Sequence, residues 1–239
     1  MADNLCEVCP KTGDQRCSRC RQVRYCSHQC QRAAWVKHKL VCDSATEFNS
    51  QDRPTPDAAE VYYRRALLFD PEKTKPNFIW LKFKLEQVDG HFVEQPQLDA
   101  VGIDEPDIED FMIQKHPVLD RTLPHTIRLR FRDNFLSDGS KANAPVQSLK
   151  TKHDWRGPMV AYAMKGTEGI EDLRESDDLD ATDFPSIVSF LKVYGDERPL
   201  TTTRITNEDL KNMSPAERAG GIIFDSATGS FYNSAGRRL

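Results

Sequence analysis

The chain has 239 residues, is 38% hydrophobic and 29% charged, and carries a formal net charge of −4. That length can bury a core without covalent staples, and the mild acidity argues against a surface built to track phosphate backbones. All seven cysteines lie between Cys6 and Cys42, so thiol chemistry is confined to the N-terminal end.

Residues 1–43 read as a metal-binding module. The order is Cys6-x2-Cys9, Cys17-x2-Cys20, Cys26-x3-Cys30 and His38-x3-Cys42. Each pair is spaced so that both side chains can point at one ion, and eight ligands fill two tetrahedral Zn2+ sites. A disulfide framework fits less well. The thiol count is odd, no apolar run precedes Cys6, and clustered thiols in a reducing compartment are more often metal ligands than bridges. The expected compartment is therefore the cytoplasm, the nucleus or both, and no membrane partner is expected.

Gly13 and Asp14 mark a turn after the first pair, and Val23–Tyr25 reads as the return strand of a short hairpin. Cys26 and Cys30 are four apart, as are His38 and Cys42, which puts each pair on one face of a helical turn. Ser27 stands where a helix carrying Cys30 needs its cap. Spacing alone leaves open which pairs share an ion. The segment holds eight Lys/Arg against four Asp/Glu, but seven thiolates and two zinc ions would leave a net charge of about +1. Its basic appearance is thus weak support for nucleic-acid binding.

The full pattern, with Tyr25-Cys26-Ser27, Gln31, Trp35-x2-His38-Lys39 and Cys42 in place, resembles a MYND-type zinc finger. The related HIT finger shares the early spacing but closes its last pair after a shorter gap. The resemblance implies cross-bracing, with Cys6, Cys9, Cys26 and Cys30 on one ion and Cys17, Cys20, His38 and Cys42 on the other. It also implies recognition of short proline-containing peptides in extended form. The matching positions are Gln31 and Trp35, with the Val23–Tyr25 edge, and hence Tyr25, available for strand pairing. Trp35 has a plainer reading too, as a packing residue over a zinc site.

Residues 44–56 are polar, hold two prolines and read as a linker, leaving 57–239 as one mixed α+β domain of unassigned function. Thr55-Pro56-Asp57 reads as a helix start, followed by Ala59, Tyr62, Tyr63, Ala66 and Phe69 at helical spacing. Strands are expected over Trp80–Leu85, Ile127–Arg132 and Pro158–Met164, the last apolar enough to be central. A helix is expected over Phe184–Tyr194, short capped helices over Thr206–Met213 and Ser214–Glu217, and a hairpin from Gly221–Phe224 to Ser230–Tyr232. The acidic stretches Asp104–Asp110 and Glu168–Asp183 read as solvated loops. Arg128, Arg130 and Arg132 share one strand face, read as a wet face with acidic partners across the sheet in preference to a phosphate grip.

No catalytic residue is assigned. SET-type lysine methyltransferases, enzymes in which such fingers occur, resemble one another in an Asn-His-x-Cys-type segment and a Cys-rich tail. Neither Asn-His nor any Cys beyond Cys42 occurs. Gly-x-Ser-x-Gly and phosphate-binding glycine loops are missing as well. His153-Asp154 with His125 offers a possible acid–base set but no defined chemistry. The sequence therefore points to a zinc-binding intracellular adaptor that recognises a peptide of a protein partner. An enzyme body of unrecognised type is the first alternative, and a nucleic-acid-binding regulator the weaker one.

Overall fold

The computed structural model describes residues 4–88, 90–104, 108–116, 118–119, 121–166 and 174–194, together with the backbone of 223–225 and 230–232. The chain divides into two compact units, Met1–Gly195 and Asp196–Leu239. The N-terminal segment contributes the two-residue strands β1 (Gln15–Arg16) and β2 (Arg24–Tyr25), then the helix α1 (His28–Glu47). A mostly β body with a few helices follows, and the α content is lower than the sequence suggested. Its strands are β3 (Val61–Phe69), β4 (Asn77–Val88), β5 (His91–Pro96), β6 (Ile108–His116), β7 (Arg121–Arg132), β8 (Met159–Met164) and β9 (Ser176–Asp177). The body helices are α2 (Ala144–Gln147) and α3 (Phe184–Val193). In the second unit β10 (Ile223–Asp225) pairs antiparallel with β11 (Ser230–Tyr232), the hairpin expected there. The short helices expected over Thr206–Met213 and Ser214–Glu217 lie outside the described residues.

The seven-stranded sheet is antiparallel throughout, in the order β5-β4-β3-β8-β7-β6, with β9 pairing β8. Every residue of β8 is buried, as its apolar sequence requires. On one face Val160, Tyr162 and Met164 join Ala66, Leu81, Phe83, Leu98 and Ile103. On the other, Ile127, Leu129 and Phe131 of β7 alternate inward, and α3 buries Phe184, Ile187, Val188, Phe190 and Leu191.

The helix expected from Thr55 is instead the strand β3. Its residues pack on both faces, so the pattern at 59–69 lacks a strand's apolar–polar alternation, and its apolar positions mimic a helical stripe. The aromatic pair Tyr62-Tyr63 and Val61 suit a pleated surface better than a helix. Strands β5 and β6 have no counterpart among the expected elements. β6 begins inside the acidic stretch 104–110, and Asp110 is no solvated loop residue. It receives Arg128 Nε at 2.8 Å and faces Arg130 Nε at 3.0 Å, while Arg132 pairs with Asp138 at 3.2 Å. The three arginines thus hold carboxylates. The second acidic stretch is also partly built in: Asp178 pairs with Arg53 and accepts from the Arg65 backbone N–H, and Asp183 is buried against His125 at 2.9 Å.

Residues 44–56 belong to the packing. Ser44–Glu47 complete α1 and Ser50–Asp52 form a 3-10 turn. Phe48 packs at a tilt against Trp80 with ring centroids 4.7 Å apart, and Arg53 lies 4.5 Å over the same indole while donating to Tyr63 O. Among the described residues no helix is long and apolar enough to cross a membrane.

One buried side chain joins three segments. Asn143 caps α2 by accepting from Val146 N–H, and its Nδ2 donates to Phe69 O and Gly157 O, each at 2.8 Å. Asn143→Ala would leave two carbonyls and one N–H buried without partners, so a loss of about 2–4 kcal/mol is expected. Urea denaturation of the purified protein measures it.

Candidate metal centre and peptide surface

The finger is assembled from turns that bring distant pairs together. Cys6 N–H donates to Lys11 O and Cys17 N–H to Val23 O, closing two knuckles at 2.8 and 2.9 Å. Arg21, just after Cys20, adopts a left-handed φ of 58°. Gly13 admits the return strand: a Cβ there would sit 2.8 Å from the Cβ of Arg24. Ser27 caps α1 by accepting from Cys30 N–H at 3.2 Å. Only Cys30 of its pair is helical, because Cys26 precedes the cap, whereas His38 and Cys42 both lie on α1.

Two tetrads result, Cys6/Cys9/Cys26/Cys30 and Cys17/Cys20/His38/Cys42, with the ligand atoms of each within 4.8 Å of one another. The spacing left the pairing open, and the fold brings the pairs together in an interleaved way. Tetrahedral zinc with Zn–S near 2.3 Å sets a sulfur–sulfur edge of about 3.8 Å. Observed separations are 3.5 Å for Cys9–Cys26 and Cys26–Cys30, 3.8 Å for Cys17–Cys42, and 3.5 Å from Cys20 Sγ to His38 Nε2. The donor sets therefore fit two zinc ions. Burial holds His38 down at about 4, which keeps its imidazole neutral and able to ligate. Burial raises the Cys6 thiol, but the backbone N–H groups around it outweigh that and bring it to about 7. Each tetrad is complete in protein ligands. Zinc here supplies folding free energy and offers no open coordination position for water or substrate.

The two centres are unequally protected. All four ligands of the second are buried, while Cys9, Cys26 and Cys30 of the first are half-exposed. The body reinforces the first: Arg121, opening β7, donates from one guanidinium nitrogen to Cys6 O at 3.0 Å and Cys9 O at 3.1 Å. Nothing in the motif marked Arg121, because its role arises only where the body meets the finger. Further bonds across the junction run from Ala181 N–H to Gln22 Oε1 at 2.9 Å and from Phe78 N–H to Ser44 Oγ at 2.7 Å. A small cleft of ≈ 70 Å³ remains between finger and body, lined by Leu5, Glu7, Arg24, His116, Arg121 and Thr182 among others. Burial lifts the Glu7 carboxyl in it to about 7.

The three residues expected at a peptide surface part company. Trp35 is 44% exposed, with its ring centroid 6.0 Å from that of His38, so it both shields the second centre and shows a face to solvent. Gln31, partly exposed, stands one helical turn before it on the same side of α1. Tyr25 is buried to 1% with its ring edge-on to His38, so its side chain belongs to the finger interior. The neighbouring Arg24 carbonyl is already taken by Glu7 N–H at 3.0 Å. The histidines considered for acid–base work also separate. His125 faces Asp183, His153 packs against Phe135, Trp155 and Tyr194, and Asp154 pairs with Arg156.

Two interleaved, coordinatively closed tetrads carried on turns and one helix define a cross-braced double zinc finger. Residues 6–42 match the MYND finger family, and this part of the chain is a MYND finger. Curated relatives agree over the same region. Tudor domain-containing protein 1 of Danio rerio is 34% identical over 58 residues, 24% of this chain and 5% of that protein. N-lysine methyltransferase SMYD2 of Bos taurus is 41% identical over 54 residues, 22% of this chain and 12% of that protein. The zinc finger MYND domain-containing protein 10 homolog of Drosophila melanogaster is 42% identical over 40 residues, 17% of this chain and 9% of that protein. The chain thus spans 5–12% of the length of these relatives. No solved structure matches it.

Metal analysis is expected to return two zinc ions per chain, and chelator competition to release them in two phases, the half-exposed centre first. Arg121→Ala should speed the fast phase by about tenfold, the weight of lost charge-assisted hydrogen bonds, and leave the slow phase unchanged.

Proposed function

We propose that this protein is a zinc-dependent intracellular adaptor, whose finger captures a short proline-containing peptide of a protein partner on the side of α1 that carries Gln31 and Trp35. MYND fingers serve protein–protein interaction, and the observation that supports the finer reading here is the exposed indole of Trp35. A tryptophan left 44% open on a finger whose metal sites are coordinatively closed is the kind of anchor that dominates small interfaces. Gln31 beside it supplies an amide able to bond an extended backbone. Tyr25 acts in this reading through the interior, holding the finger's shape behind the surface. Zinc stays structural. Reduced thiols throughout the cluster fit the cytoplasm or nucleus.

Trp35→Ala is expected to weaken capture of a fluorescent proline-containing peptide by at least about tenfold, in keeping with a tryptophan anchor, while metal analysis still returns two zinc ions. Unchanged peptide affinity, or loss of zinc along with affinity, would show that Trp35 serves the metal centre alone.

A further inference from the structure

The stripe around Trp35 carries more than an aromatic anchor. Val36 beside it is 68% exposed, and Arg32 and Lys39 are exposed one turn to either side. Positions 32, 35, 36 and 39 are three or four apart and form one continuous patch. Among the described residues its charge is unopposed. From His28 to Cys42 the helix holds no acidic residue. The first acid after it, Asp43, is occupied by Arg19 at 2.7 Å and Lys75 at 3.4 Å. Neither Arg32 nor Lys39 has a hydrogen bond or ion pair among the described residues. Several cations of the body hold carboxylates instead: Arg128 and Arg130 hold Asp110, Arg53 holds Asp178, and Lys82 holds Asp57.

An apolar pair bracketed along a helix by two free cations is complementary to one kind of ligand. From this we infer that the finger selects peptides whose apolar, proline-containing core is flanked by acidic residues. Trp35 and Val36 cover the core, while Arg32 and Lys39 meet carboxylates on either side of it. This rests on the reading of α1 as the peptide surface and adds a rule of partner choice. Rim charges of this type contribute modestly to affinity but steer association and reject like-charged competitors. Each pair is screened by salt, so the preference is steepest at low ionic strength.

The test uses the full zinc-loaded chain and three labelled peptides that share one proline-containing apolar core, flanked on both sides by glutamate, glutamine or lysine. Anisotropy titration should rank them glutamate, glutamine, lysine, with about a tenfold spread between the extremes at 50 mM salt, the order expected for two exposed charge pairs, and a narrower spread at 300 mM. Arg32→Gln with Lys39→Gln should flatten the ranking, and Arg32→Glu with Lys39→Glu should invert it, with zinc content and circular dichroism unchanged. Equal affinity for all three peptides, still lost in Trp35→Ala, would overturn the acidic rule and leave the peptide surface standing. Failure of all three to bind would overturn both.

Discussion

Two metal ions that each take ligand pairs from separate parts of one short segment are the constraint on which this structure depends. A segment of about forty residues cannot bury enough apolar surface to fold unaided. Here Cys6 and Cys9 must meet Cys26 and Cys30 across the turn that holds Cys17 and Cys20, and those in turn must meet His38 and Cys42 on α1. Neither site can form unless the chain has already crossed itself, so each ion constrains the loop that serves the other. Structural zinc contributes on the order of 10 kcal/mol or more in small fingers, enough to hold this crossing without a core.

From that crossing follows the position of α1, and through α1 the relation of the finger to the body. The helix begins at a cap beside the first centre, delivers two ligands to the second, and continues until Ser44 and Phe48 pack on the sheet. At 1.5 Å per residue its twenty residues reach about 30 Å, so one rigid rod spans both. Arg121 and Gln22 pin the finger at two further points.

The sequence was most legible where covalent chemistry narrows the choices. Ligand identity and the Ser27 cap could be read directly, because each demands a particular residue at a particular spacing. The strand β7 was visible for a related reason: Ile127, Leu129 and Phe131 point inward and three arginines outward, a half-buried pattern with period two. Strand β3 keeps no such period because apolar residues occupy both its faces, Ala66 and Leu68 on one and Leu67 and Phe69 on the other. β6 was hidden because Asp110, an acid in an apparent loop, is the partner of Arg128 and Arg130, and only the sheet brings them together. Tyr25 shows the limit within the finger itself. Its place in the motif does not tell whether the ring points out to a ligand or in toward His38, and packing turned it in.

The junction between finger and body also bears on how recognition would work. A finger tethered by a loose segment must lose orientational freedom each time the rest of the protein is brought to a partner, whereas one welded at several points has lost it already. In this chain the residues between finger and sheet are used for contact, as in the Arg53–Trp80 stack and the Ser44–Phe78 hydrogen bond. The opposite side of α1 is left with Trp35 and Val36 exposed. One side of the helix serves cohesion, and among the described residues the other is left exposed. The orientation of that free side relative to the sheet is set by the same helix that carries the zinc ligands.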